Sequence, residues 1–149
     1  MSNSTIHWHG YWLDDKCHIP LDIKLAAGLA VFFAGKSVAD LGCGLGNYTM
    51  FLKDCGIDID GYDGNPHIEG CQIVDLADPV NLPRVYDWIL HRHNTCGVVL
   101  SWATPGQGGH GHFNERPHDY IVEQFTQRGY EEMHDIQHVL RKLSKHFWF

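Results

Sequence analysis

Clusters of lysine and arginine are missing from this sequence. Its 149 residues contain 11 Lys and Arg against 18 Asp and Glu, which gives a net charge of −7. A protein that binds a nucleic-acid backbone needs basic patches to neutralise phosphates, so the composition predicts no nucleic-acid partner. The sequence also has no apolar run long enough to cross a membrane and no signal-peptide profile, which predicts a cytoplasmic protein without membrane contact.

Paired cysteine motifs are missing as well. The five cysteines are odd in number, scattered, and form no C-x-x-C motif, which predicts reduced thiols rather than a disulfide framework or a zinc site. Histidine is plentiful, and three H-x-H pairs occur: His7/His9, His91/His93 and His110/His112. Such a pair shares one face of a strand, but a zinc site needs three or four ligands, so we predict no metal site.

The most informative pattern is the segment Asp40-Leu-Gly-Cys-Gly-Leu-Gly46, which follows a short apolar run and precedes a helical pattern. Gly42, Gly44 and Gly46 have no Cβ, so the turn can be tight and a ligand can approach its backbone. The helix that follows directs its unpaired N–H groups and its positive dipole end at that ligand. The pattern therefore predicts a binding turn between a strand and a helix.

The spacing of these glycines separates two classes of ligand. Dinucleotide-binding turns usually read G-x-G-x-x-G and place a pyrophosphate at the helix N-terminus. This chain reads G-x-G-x-G directly after a carboxylate, Asp40, which would repel a pyrophosphate and suit a ligand with an amine and a sulfonium. A nicotinamide-cofactor domain is therefore disfavoured.

Two later segments extend the pattern. Ile57-Asp-Ile-Asp-Gly-Tyr-Asp63-Gly64-Asn65-Pro66 ends in an acid about 20 residues after the glycines, where an acid can hydrogen-bond ribose hydroxyls. The same four final residues are also ordinary turn formers. The next segment is Cys71-Gln-Ile-Val-Asp75-Leu76. The three segments, in this order, resemble the S-adenosylmethionine-binding core of the Rossmann-like methyltransferases.

The resemblance implies a role for each residue of the pattern. Asp40 would hold the ammonium of S-adenosylmethionine, and the backbone of residues 42–44 would receive its methionine portion. Asp63 would bind the ribose hydroxyls, while Asp75 and the neighbouring backbone would frame the adenine. The implied cofactor-binding residues are Asp40, Gly42, Cys43, Gly44, Gly46, Asp63, Gly64, Asp75 and Leu76.

The predicted fold is α/β, Rossmann-like, with a mostly parallel sheet and helices on both faces. It forms one domain: an aromatic segment and helix (1–35), a cofactor-binding core (37–102), and a lid loop with C-terminal helices (103–149). Pro20 is predicted to open the first helix. Strands are predicted at about 37–41, 57–62 and 71–76, and further helices at about 47–54, 118–128 and 136–143.

The segment after the third predicted strand departs from that family. Residues 86–90 and 97–102 both have strand-like sequences, but only six residues separate them, and a parallel crossover needs roughly 10–12. Either a helix that Pro83 opens forms the crossover and 97–102 pairs beside the first strand, or 86–90 is a strand and 97–102 is its antiparallel or displaced partner. In both cases about one strand–helix unit is missing, and so is the family's final hairpin strand.

The glycine-rich stretch 103–114 is predicted to be a loop, and its position after a strand favours a lid or substrate loop. The run from Val98 to Asn114 also resembles uncharacterised small methyltransferase-like proteins. His110 and His112 lie in this loop and are candidate general bases, because histidine titrates near neutral pH. The alternative is that their rings only hydrogen-bond to backbone.

The functional prediction is an S-adenosylmethionine-dependent methyltransferase acting on a small-molecule acceptor. The alternative is a pseudoenzyme or non-catalytic subunit that binds the cofactor and works through a protein partner, because the missing segment would line the acceptor pocket. The apolar residues His146-Phe-Trp-Phe149 would leave an edge that a partner chain or a second copy covers.

Overall fold

A computed structural model describes residues 6, 7, 11, 13, 20–67, 70–76, 78, 94–107 and 115–145. Within these residues the chain is a mixed α/β structure with four helices and three strands. In chain order they are α1 (Ile23–Phe32), β1 (Ser37–Leu41), α2 (Asn47–Asp54), β2 (Asp58–Asp63), β3 (Gln72–Ile73), α3 (His118–Thr126) and α4 (His134–Leu143). The helices of this described part are all too short or too polar to span a bilayer.

The three strands form a parallel sheet in the order β1–β2–β3. Leu41 pairs with Tyr62, and Tyr62 pairs with Gln72. Helix α2 makes the crossover from β1 to β2 and packs against β2. Because parallel strands end at one edge of a sheet, the segments that follow β1 and β2 lie side by side, and β3 brings the next segment to the same edge.

The core lies between one face of the sheet and the helices. Its buried apolar residues come from α1, α2, α4 and the start of β2, and they are Leu25, Leu29, Leu52, Ile57, Ile59 and Leu140. Helix α1 packs against both α2 and α4. Leu25 and Leu29, four residues apart, lie on the buried face of α1.

On the other face of the sheet, side chains of β1 and β2 are exposed. Ser37 and Ala39 of β1 and Asp58 and Asp60 of β2 are exposed, whereas Ile59 between the two acids is buried. The alternation of acids and apolar residues in β2 is typical of a strand with one solvated face. The parallel arrangement is confirmed, and helices on both faces of the sheet stay a prediction.

The predicted bounds of β1 and α2 are confirmed residue for residue. The predicted helices 118–128 and 136–143 are confirmed as α3 and α4 with shifted ends. The third strand is much shorter than predicted, because only residues 72 and 73 pair with β2. The Rossmann-like assignment and the missing strand–helix unit remain predictions.

Residues 97–102 do not form a strand beside β1, so this prediction is wrong. The side-chain oxygen Oδ1 of Asn94 accepts hydrogen bonds from the backbone N–H groups of Cys96 and Gly97, at 3.2 and 2.7 Å. These bonds form a turn at the start of the segment. Val99 packs against the core instead. Residues 86–90 lie outside the described residues, so the choice between helix and strand there stays open.

Helix α1 begins at Ile23, not at Pro20, because Asp22 takes the N-cap position. Its buried carboxylate makes no cap bond but accepts the backbone N–H of Lys145, just beyond α4. The N–H of Asp22 in turn donates to the Tyr48 hydroxyl of α2 at 3.2 Å. One residue thus links α1, α2 and the end of α4.

We expect Leu25→Ala to lower the free energy of unfolding by about 2–5 kcal/mol, because the side chain is 2% exposed and its removal leaves a cavity in the core. Val31→Ala in the same helix is the matched control, since Val31 is 80% exposed, and it should change stability by less than about 0.5 kcal/mol. Urea unfolding followed by circular dichroism measures both. Equal effects of the two substitutions would contradict this core.

Candidate functional site at the glycine-rich turn

The turn after β1 has the backbone shape that its glycines predict. Gly42, Gly44 and Gly46 have φ values of 80°, 58° and 76°, in the left-handed region that side chains disfavour. The N–H groups of Gly42 and Cys43 both donate to the Tyr62 carbonyl, at 2.8 and 3.2 Å. The turn is therefore fastened to the end of β2, and its tight curve leads directly into α2.

Asp63 anchors this turn with its side chain. The residue is 6% exposed, and its Oδ2 accepts the N–H of Gly44 at 2.8 Å. Its Oδ1 accepts the N–H of Asn65 at 2.8 Å, which closes the turn after β2. Each carboxylate oxygen can accept further hydrogen bonds, so the predicted contact with ribose hydroxyls is compatible with this second, structural role.

Asp40 lies next to the anchor and is partly buried. The hydroxyl of Thr49, a residue 1% exposed in α2, donates to Asp40 Oδ2 at 2.8 Å. Burial raises the pKa of Asp40, the Thr49 hydrogen bond lowers it, and the charge of Asp63 raises it again, with a net upward shift. The two carboxylates therefore repel each other, and a cation between them would be attracted by both.

Gly61 of β2 allows these groups to converge, and sequence reasoning missed it. A Cβ at this position would lie 2.6 Å from Cys71 Sγ, 2.7 Å from Thr49 Oγ1 and 3.0 Å from Cys43 Sγ. No real side chain tolerates such contacts, so only glycine leaves room for the hydroxyl and the two sulfurs. The signal was available, because a glycine inside a strand often marks a close approach.

Asp75 and Leu76 follow β3 and lie at the same edge of the sheet, both partly buried. The N–H of Val74 donates to the Asp63 carbonyl at 2.7 Å, so the segment runs alongside the anchor. Asp75 Oδ1 accepts the N–H of Asp78 at 3.1 Å, which closes a further turn. The third predicted segment is thereby brought next to the first two.

Tyr11 is a second residue that sequence reasoning did not single out. Its ring packs on Gly64, where a Cβ would lie 2.4 Å from Tyr11 Cδ1. The His7 ring stacks on Tyr11 with centroids 4.4 Å apart. Burial and the charges of Asp75, Asp63 and Asp78 raise the pKa of Tyr11. An aromatic residue from the N-terminal segment thus covers the Gly64 side of the site.

Charge in the site is predominantly negative. Asp40 and Asp63 lie at the turn, and Asp75 and Asp78 lie in the segment that follows β3. The N-terminus of α2 lies at the same turn and carries the positive end of the helix dipole. Its N-cap is Gly46, and no side chain caps it. A helix N-terminus attracts carboxylate, whereas the acids attract cations. The arrangement therefore suits a zwitterionic ligand with additional positive charge, and it opposes a pyrophosphate.

Most of the histidines singled out in the sequence fall outside the part of the chain that the structure describes. His110, His112, His91, His93 and His9 lie outside the described residues, and His7 stacks on Tyr11. In the described ranges no three His, Cys, Asp or Glu side chains form a group that could hold a metal ion. Trp102, directly before the predicted lid, and Thr104, within it, line a cavity of about 880 Å³ together with residues of α1, α3 and α4.

Comparison with known proteins gives no assignment. No family model matches the chain, and neither the curated proteins nor the solved structures include one that is similar to it.

Proposed function

We propose that this protein binds S-adenosylmethionine at the glycine-rich turn and serves as a methyltransferase for a small-molecule acceptor. The observation that carries the proposal is that Asp40 and Asp63 lie together at a turn with open space beside Gly42 and Gly44, with the Asp75 segment running alongside Asp63. S-adenosylmethionine has an ammonium, a carboxylate and a sulfonium, so its charges complement those of the site.

The ligand would lie across the carboxyl edge of the sheet. Its ammonium would face Asp40, and its carboxylate would face the N-terminus of α2. Its ribose would approach Asp63, and its adenine would lie between Gly64 and the backbone at Leu76. Tyr11 would cover this end of the ligand, because its ring already packs on Gly64.

Methyl transfer is an in-line displacement in which the acceptor attacks the activated methyl carbon. The protein contributes mainly by holding the two molecules close and aligned. A general base is needed only if the acceptor must lose a proton, and His110 and His112 remain the candidates for it. A protein that binds the cofactor but transfers no methyl group to any acceptor would instead be a non-catalytic subunit.

The first test is calorimetric titration with S-adenosylmethionine, S-adenosylhomocysteine and NAD. We expect both methionine compounds to bind and Asp63→Asn to abolish their binding, because the amide loses the charge and one of the two acceptor oxygens. Asp60→Asn is the matched control from the same strand, since Asp60 is exposed on the opposite face. Binding of NAD alone would overturn the proposal.

The second test uses the raised pKa of Asp40. Asp40 attracts an ammonium only when ionised, so affinity for S-adenosylhomocysteine should be present above this raised pKa and fall as the pH drops through it. Thr49→Val removes the hydrogen bond that favours the charged form, so the fall should move to higher pH. Thr49→Ser should keep the wild-type profile. Binding titrations from about pH 4 to pH 8 measure the shift in the pH at which affinity falls. Identical pH profiles of binding for Thr49→Val and the wild type would contradict this role of Asp40.

The third test concerns Tyr11. Loss of its ring in Tyr11→Ala should weaken S-adenosylhomocysteine binding by about 1–3 kcal/mol, the range found when an aromatic residue that covers a base is removed. Tyr11→Phe keeps the ring on Gly64 and should bind as the wild type does. Tighter binding by Tyr11→Ala would show that the ring obstructs the site instead of covering the ligand.

A further inference from the structure

Two cysteines from different segments meet above Gly61. Cys43 belongs to the glycine-rich turn, and Cys71 directly precedes β3. The sulfurs of Cys43 and Cys71 lie 3.0 and 2.6 Å from the point that a Cβ on Gly61 would occupy, so the two thiols lie close to each other. Both residues are partly buried and are free thiols in this structure.

The sheet itself brings the pair together. Asp40 of β1 pairs with Gly61 of β2, and Gln72 of β3 pairs with the next residue, Tyr62. Cys43 and Cys71 therefore flank the same short stretch of β2, one from each side. Because Gly61 has no side chain, nothing separates the two sulfurs.

We propose that Cys43 and Cys71 form a reversible disulfide that reshapes the glycine-rich turn. With a peroxide as oxidant, one sulfur attacks the O–O bond and becomes a sulfenic acid, releasing one water. The other thiol then attacks that sulfur, forms the S–S bond and releases a second water. The two thiols lose two electrons and two protons, and the peroxide is reduced. A thiol reductant reverses the step by disulfide exchange.

The turn is built to respond to such a bond. Cys43 is flanked by Gly42 and Gly44, which can change φ and ψ at little cost. Drawing Cys43 Sγ to bonding distance of Cys71 pulls the turn toward β3, and the N–H of Gly44 then leaves Asp63 Oδ2. Burial, the neighbouring Cys71 thiol and the charges of Asp40 and Asp63 raise the pKa of Cys43, so little Cys43 thiolate forms at neutral pH and its reaction with peroxide is slow.

The experiment compares the reduced full chain with the chain treated with hydrogen peroxide. Trypsin cleaves after Lys53 and separates the two cysteines, but Cys55 and Cys71 remain in one peptide, so mapping is done in a Cys55→Ser background. We expect a Cys43–Cys71 linked peptide that a thiol reductant removes. Amide hydrogen exchange should become faster at residues 42–46 after oxidation. Resting on the proposed function, we also expect a loss of S-adenosylhomocysteine binding.

Matched variants make the test decisive. Cys71→Ser should give no linked peptide. Its rate of amide hydrogen exchange at residues 42–46 should be the same before and after peroxide treatment. Cys96→Ser, at an exposed thiol, should still give the link. The proposal is overturned if Cys96 is oxidised while no Cys43–Cys71 link forms, or if the link forms and the turn exchanges as before. If the link forms and exchange changes but neither state binds a methionine compound, the disulfide stands and only the proposed function fails.

Discussion

The hydrogen bond from the Gly44 N–H to the Asp63 carboxylate holds the site together. It joins the turn after β1 to the end of β2, and the second oxygen of the same carboxylate closes the next turn through Asn65. A buried carboxylate is costly unless it accepts hydrogen bonds, and these two backbone donors offset that cost. The shape of both binding loops therefore depends on one side chain that also contributes charge to the site.

The negative charge of the site is concentrated in a small space, and it changes the pKa values of neighbouring groups. The charge of Asp63 adds to the burial that raises the pKa of Asp40, and burial, the neighbouring Cys71 thiol and the charges of Asp40 and Asp63 raise the pKa of Cys43. A cationic ligand would relieve the repulsion between the two carboxylates. Two thiols lie close to each other over Gly61, so ligand binding and thiol oxidation would act on the same few residues of the turn.

Local sequence was sufficient to predict β1 and α2. The Asp40–Gly46 pattern contains the strand end, the turn and the helix start in one continuous segment. Local sequence was insufficient to predict the length of β3, because that length depends on which residues of β2 are available to pair with it. It also failed at residues 97–102, where Asn94 captures backbone donors that a strand would have used. The alternation of acids and apolar residues in β2 did indicate its solvated face, because a strand places successive side chains on opposite faces.

The glycines and acids of the three segments were recognisable along the chain as a binding pattern, because their spacing reflects local backbone geometry. The roles of these glycines and acids were not recognisable from the sequence. Only the folded chain decided that Asp63 fastens Gly44, that Thr49 stabilises ionised Asp40, and that Tyr11 covers Gly64. Each of these contacts joins residues from different elements, and their distances depend on the pairing of β1, β2 and β3 and on the packing of α2, which no local pattern contains.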